Sequence, residues 1–435
     1  MSHSLTPWSR TRSACSTAEL FAATSTGEVN AVPSPAVAPP PGNPRFPLFD
    51  SLRAVAVIAV LVFHVTSITN LNADGFVGDV FGVLGDVGLT LFFVISGFLL
   101  YRPFVAARAR DAPMPSVGRY ARRRLLRIVP AYWLALTLLS LYPGISGVFS
   151  PDWWRYYLLL TLYSHRTLVN GIPVAWTLCV EVSFYVVLPL WARMARGWRP
   201  ASGNRAWLAS ELSSLGCLAL FGIVIQVLSS RHLVSGTIAD SLLGECVWFA
   251  LGMALAVLSV ADARGELSQR LTMIIAKRPG LCWIAAGTCL LGLAALLRPG
   301  SVLNILLQIE TKQPYGRTLG AIALTSAMMV LLVSPAVFGA DAGGAPRRFL
   351  RIRPVAWLGL ISYGVYLWHL PIALWLASSN SSQFSAAGLG LLGAIHALQT
   401  PSLLLLTLVV SVGAAATSFY VVELPFLRLK ERRVR

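Results

Sequence analysis

The sequence predicts an all-α fold: a polytopic transmembrane helical bundle of about ten spans, with both termini cytoplasmic. Three observations predict it. The 435-residue chain is 56% hydrophobic and only 12% charged, about half the charge of an ordinary soluble domain, and its mean hydropathy is +0.67. Apolar runs approaching the 20 or so residues that cross a bilayer recur along it. Its basic residues gather in alternate connections between those runs.

In order, the runs are 51–69, 82–101, 126–142, 174–192, 211–228, 241–260, 281–297, 318–337, 355–377 and 402–422. Residues 1–48, ahead of the first, are rich in Ser, Thr, Ala and Pro, with Pro39-Pro40-Pro41 near their end. They contain no apolar core of a signal peptide and read as a disordered cytoplasmic tail, unless the start of the gene is set too early. Span one is the unbroken apolar run after Arg53, and span two contains Ser96-Gly97, which suits close helix packing. The segment 153–163 is too short to cross, and its Trp153, Trp154, Tyr156 and Tyr157 mark it as interfacial or re-entrant. Span six carries an acid, Glu245, with no evident partner, whereas Asp86 near the outer end of span two reads as interfacial. Span nine is dense in aromatics, and span ten closes on Glu423-Leu424-Pro425-Phe426. The domain organisation is thus a tail (1–48), a transmembrane domain (49–430) and a short basic end (431–435) with no soluble domain after the last span.

Orientation follows from Lys and Arg. All of the 35 except Arg155, Arg166, Arg231, Arg298, Lys312 and Arg317 fall on one side if ten spans are threaded. That side is cytoplasmic, so the protein is a multi-pass cell-membrane protein. The same placement explains the net charge of +17 without nucleic acid, because the basic residues occupy short connections rather than one face. Six cysteines (Cys15, Cys179, Cys217, Cys246, Cys282, Cys289) form no close CxxC pair. Neither a disulfide framework nor a metal site is expected; buried free thiols are.

Ionisable groups inside spans carry the functional expectation, because they are expensive there. Arg53 and His64 lie on one helix, separated by about 16 Å along its axis. His64, Glu181 in span four and His369 in span nine are all calculated to lie about 20 Å from the inner face. Two imidazoles and a carboxylate at one depth form a general-base constellation for a hydroxyl substrate, His64 acting as base or acyl carrier. Three unrelated helix–helix hydrogen bonds would give the same pattern. Trp176 and Tyr185 flank Glu181 and are alternative donors to it. The stretch 102–127 holds eight arginines against one acid, Asp111. Its end, Arg119-Tyr120-Ala121-Arg122-Arg123-Arg124-Leu125-Leu126-Arg127, suits phosphate by bidentate contact or anionic lipid headgroups, beyond what topology alone requires. Glu423 is placed to pair with one of these arginines.

With those residues in view, the chain resembles the acyltransferase family 3 membrane proteins over roughly 46–430. The marks are Asp50-Ser51-Leu52-Arg53, the Arg53/His64 spacing and Leu91-Phe92-Phe93-Val94-Ile95-Ser96-Gly97-Phe98. They continue with Arg124-x-x-Arg127-Ile-Val-Pro130, Trp176-x4-Glu181-x2-Phe184-Tyr185, Ser362-Tyr363-Gly364-x-Tyr366-Leu367-Trp368-His369 and the closing Glu423-Leu424-Pro425-Phe426. The resemblance implies transfer of an acyl group, often acetyl, from acyl-CoA as co-substrate to a hydroxyl of a carbohydrate, glycolipid or glycosylated metabolite, with no resident cofactor. It implies catalytic roles for His64, Glu181 and His369 and acyl-CoA binding by Arg53, Arg124 and Arg127. Asp50, Ser96, Trp176, Tyr185, Tyr366 and Glu423 take supporting roles. Val182 follows Glu181 where some members have a second acid. The rival readings are a proton-coupled transporter or flippase of a lipid-linked sugar, which would show repeats or broken helices, and a structural anchor, which needs no ionisable groups at depth.

Overall fold

A computed structural model describes residues 46–73, 75–164, 166–168, 170–197, 206–298, 314–339, 342–377 and 399–432. Residues 1–45 and 433–435 lie outside them, and with them fall nearly all of the expected N-terminal tail, Cys15 and the end of the basic C-terminal segment. Among the described residues the structure is helical, with no strand. The long helices are α1 (Leu48–Ile68), α2 (Gly75–Ala109), α3 (Val117–Leu141), α5 (Trp176–Gly197), α6 (Ala206–Ser230), α8 (Leu242–Ala263), α10 (Pro279–Leu297) and α11 (Pro314–Val337). Short helices α4 (Trp153–Tyr157), α7 (Gly236–Ala239), α9 (Gln269–Lys277) and α12 (Ala345–Leu350) join them. The chain ends with α13 (Arg353–Leu360), α14 (Ser362–Ala377), α15 (Thr400–Ser418), a π-turn (Phe419–Glu423) and α16 (Leu424–Arg432).

Nine of these helices, some with the short helix next to them, are long and apolar enough to cross a membrane, and α13 with α14 passes the same test only as a pair, bent by 74° at the break. The expected single helix over 355–377 is therefore interrupted. The break has a local cause: Ser362 Oγ donates to Gly359 O at 2.8 Å and competes for a carbonyl of the preceding turn. Gly359 at that bend lies directly against the Asp50 carbonyl of α1, an approach that no side chain would permit. The segment around α4 does not cross. Phe149, Trp153, Trp154 and Tyr163 stay exposed there, while Tyr132 and Trp133 of α3 clamp it by donating to the Tyr156 and Tyr157 carbonyls at 2.8 and 2.9 Å.

The expected loop over 102–127 is mostly helix, because α2 runs on to Ala109 and α3 begins at Val117. Arg102 and Arg108 consequently lie on α2 and are buried. Tight glycine crossings fix the bundle. Gly88 meets Ala56 and Val60 of α1, Gly97 and Gly252 let α2 and α8 approach backbone to backbone, and Gly364 seats Ala415 of α15 against α14. Helices α6 and α10 turn much of their surface outward, with Leu220, Phe221, Leu281 and Ile284 exposed to the lipid such a span requires. This corrects the expectation for the thiols. The five described cysteines are free, but only Cys179 and Cys246 are buried and Cys217 is exposed. In a membrane protein an apolar neighbourhood does not imply an interior position.

Candidate active site

The site is built on α1, α2, α3, α5 and α14. Arg53, one and a half turns into α1, is ion-paired with Asp50 at 2.8 Å. It lines a cavity of about 700 Å³, adjoining open space included, with Arg124, Arg127 and Ile128 of α3, Glu181 and Tyr185 of α5, Ser96 and Phe92 of α2, and Tyr363 and Tyr366 of α14. One oxygen of Glu181 is fully engaged. Ser96 Oγ donates to Oε1 at 2.8 Å and Tyr185 OH donates to the same oxygen at 2.6 Å. Ser96 thus bonds a neighbouring helix as well as easing the crossing at Gly97. The guanidinium of Arg124 lies over the Tyr185 ring, 5.8 Å from its centroid, and its buried Nε has no hydrogen-bond partner among the described residues.

Near the other end of α1, His64 meets His369. Their ring nitrogens, His64 Nδ1 and His369 Nε2, are 3.2 Å apart. Backbone carbonyls determine where the protons are. His369 Nδ1 faces Tyr366 O at 2.8 Å and Val365 O at 3.2 Å, and His64 Nδ1 faces Val60 O at 2.9 Å. Carbonyls only accept, so both rings carry the proton on Nδ1 when neutral. His64 Nδ1 then shares its one proton between Val60 O and His369 Nε2, and no described residue bonds His64 Nε2.

The structure therefore brings together Arg53, Arg124, Arg127, Glu181, Ser96 and Tyr185 in one cluster, and His64 with His369 in another. It does not place all three of His64, Glu181 and His369 around one cavity, because the two histidines are not among the residues that line it. Nor do the three share a depth. Glu181 is level with Ser96, while His64 follows Phe63, which packs on Gly85. Ser96 and Gly85 are about 16 Å apart along α2. The depth calculation failed because α5 is entered from a buried turn, Pro173–Ala175, rather than from the bilayer surface. Tyr366 joins the clusters: it lines the cavity, and its ring centroid lies 5.7 Å from that of His369.

Of the other expected residues, Trp176 opens α5, half-buried against the core, and is not a donor to Glu181. Glu423 lies on the π-turn, 3% exposed, with Arg127 as its electrostatic neighbour. It forms no direct ion pair among the described residues, and its Oε1 has no hydrogen-bond partner there. Glu245 has partners that the sequence did not reveal, namely Trp248 and Gln226, with Asp86 and Asp240 nearby. Sequence reasoning missed Thr177, which lines the cavity and bonds the Tyr366 hydroxyl at 2.7 Å. A signal was available: Thr177, Glu181 and Tyr185 follow one another at i, i+4 and i+8 and so share a helix face.

Comparison with known proteins agrees with this architecture. A family model described as an acyltransferase domain, of family 3, matches residues 47–421. The chain belongs to this acyltransferase family. It is a multi-pass membrane protein. A peptidoglycan O-acetyltransferase, OatA, of Listeria monocytogenes is 24% identical over 352 residues, covering 75% of this chain and 49% of that protein. The O-acetyltransferase OatA of Staphylococcus aureus is 22% identical, covering 77% and 52%. A putative peptidoglycan O-acetyltransferase, YrhL, of Bacillus subtilis is 25% identical, covering 75% and 48%. The chain thus spans about half the length of the curated relatives it matches. No solved structure matches it.

Proposed function

We propose that this family member is a membrane O-acyltransferase that moves a short acyl group from acyl-CoA to a hydroxyl of a cell-envelope carbohydrate. One observation carries the reading: the wall of a cavity lined by three arginines leads through the rings of Tyr366 and His369 to His64, whose Nε2 bonds no described residue. The arginines supply the bidentate cationic contacts that phosphates require, and the buried Nε of Arg124 has no partner among the described residues. Arg53 and His64 stand about 16 Å apart on α1, a distance of the same order as a pantetheine arm. The thioester would therefore reach toward the histidines while the nucleotide phosphates stay at the arginines. The relatives' names, which specify peptidoglycan or O-acetylation, support a polysaccharide acceptor and an acetyl donor.

His64 Nε2 takes the proton of the acceptor hydroxyl as its oxygen bonds to the acyl carbon. The C–S bond breaks, and the proton passes from the imidazolium to the leaving thiolate. His369 accepts from His64 Nδ1 throughout, holding the ring in the productive tautomer. Glu181 lies at the donor end rather than beside the base, so its part is to order the arginines and the donor. The decisive experiment is His64→Ala in membranes supplied with acetyl-CoA and a soluble peptidoglycan fragment. Transfer should fall at least about a hundredfold, the usual lower bound for a lost general base, with accumulation in the membrane unchanged. Near-normal transfer by the stably inserted variant refutes the assignment.

A further inference from the structure

The cavity ends on aromatic rings. Phe92 and Tyr366 both line it, and their rings meet edge to face with centroids 5.7 Å apart. Leu89, Phe93 and Leu178, also among the lining residues, add apolar surface. Tyr366 is pinned in place, its hydroxyl lying 2.7 Å from Thr177 Oγ1 and 3.3 Å from Val174 O. Its other side faces His369, whose ring centroid is 5.1 Å from that of His64. Four rings thus form a continuous chain, Phe92, Tyr366, His369 and His64, and only the first two of them line the cavity.

We propose that Phe92 and Tyr366 are specificity-determining residues that limit the transferred acyl group to two or three carbons. The inference rests on reading the arginine-lined cavity as the donor site. A donor anchored by its phosphates presents its thioester at this wall. Rings in van der Waals contact leave no slot for a methylene, and a packed interior yields to added volume only by displacing side chains. The two sides of the wall resist displacement unequally. Moving Tyr366 breaks the polar contacts that hold its hydroxyl, whereas Phe92 has no polar tether and can be shortened without orphaning one. The methylene-by-methylene discrimination available to such a wall is roughly 10–200-fold.

The test uses the full chain in lipid nanodiscs, a soluble peptidoglycan fragment as acceptor, and acetyl-, propionyl-, butyryl- and hexanoyl-CoA as donors. Thiol release gives kcat/KM for each donor, and thermal unfolding in the presence of coenzyme A reports donor binding. The wild type should prefer acetyl over butyryl at least tenfold. Phe92→Ala should cut that preference at least about tenfold by gaining activity on butyryl-CoA, and Phe92→Leu should do so less. Tyr366→Phe, which keeps the ring, should keep the preference even where the rate falls. A wild type indifferent to chain length overturns the proposal. So does an unchanged preference in Phe92→Ala or Phe92→Leu protein that still unfolds at a higher temperature with coenzyme A. If no acyl-CoA of any length is consumed and coenzyme A shifts no unfolding transition, the donor reading fails and takes the wall with it.

Discussion

Two kinds of buried arginine coexist in this bundle, and their difference separates scaffold from site. Arg347 of α12 is completely buried and donates to five carbonyls: Ile275, Ala276, Pro335, Phe338 and Gly343, at 2.8 to 3.4 Å. It ties α9, α11 and α12 together. Arg108 is comparably saturated, ion-paired with Glu211 at 2.5 Å and bonded to Tyr101 OH at 2.7 Å and Ala192 O at 3.2 Å. Tyr101 closes the ring by donating to Glu211 Oε2 at 2.7 Å. Arg124 is different: its buried Nε has no partner among the described residues, and it shares its cavity with two further arginines and only one carboxylate, Glu181. A saturated guanidinium holds the fold, whereas one left with open donors beside like charges is destabilising until an anion arrives.

Removing Arg347 should break the comparison on the structural side with the largest effect. Arg347→Ala leaves five carbonyls without their donor, at about 1–3 kcal/mol each where they stay dry, a sum comparable to the whole stability of a domain. Folded protein should be nearly absent when membranes are solubilised and passed over a size-exclusion column. Glu211→Leu comes next, stranding Arg108 at a cost of about 3–5 kcal/mol. The double variant Arg108→Met/Glu211→Leu should recover much of the lost thermal stability, because no charge is then left unpaired.

On the functional side, Arg124→Ala and Arg127→Ala should leave the unfolding temperature unchanged or raised. The KM for acyl-CoA should rise roughly 10- to 100-fold, the equivalent of one or two charged hydrogen bonds, with a smaller change for the acceptor. A fall in stability matching that of Arg347→Ala would show that all these arginines serve the scaffold. The smallest effect belongs to Tyr185→Phe. It removes one of two donors to Glu181 while keeping the ring under Arg124, so donor KM should rise only about fivefold, because the lost bond acts on the donor through Glu181 rather than directly. An effect as large as that of Arg124→Ala would mean that Glu181 itself depends on the phenol.

Much of this was legible in the residues. Hydropathy alone located the nine long spans and the apolar stretch of the bent α13/α14 pair, since each needs a long apolar run whatever it packs against. The Arg53/His64 pair and the Arg124/Arg127 pair were found because charge inside apolar sequence is conspicuous. What escaped was relational. Depth counted along α5 misplaced Glu181, because a helix records its own rise and not the height at which it starts. Arg102 and Arg108 looked like loop residues because charge was taken to end a span, whereas α2 carries them inward to Ser259 and Glu211. The partnership of His64 with His369 could be anticipated from similar depth, but which nitrogen faces which carbonyl depends on rotamers that sequence does not encode.

The π-turn at Phe419–Glu423 has a consequence best expressed as phase. Down α15 the buried polar positions are Thr407, Ser411 and Ser418, intervals of four and seven that keep one face inward. The next step at four would be Val422, which is only half-buried; the buried residue is Glu423, five places on. One extra residue in the coil has slipped the rotation by about 100°, bringing a carboxylate inward beside Arg127 where a regular helix would have brought a valine. Deleting a single residue from the coil would restore the regular winding with the acid four places after Ser418 and still inward, whereas regular winding of the undeleted sequence would bring Val422 inward in its place. The charge next to the third arginine is thus fixed by the winding of the backbone as much as by the identity of the side chain.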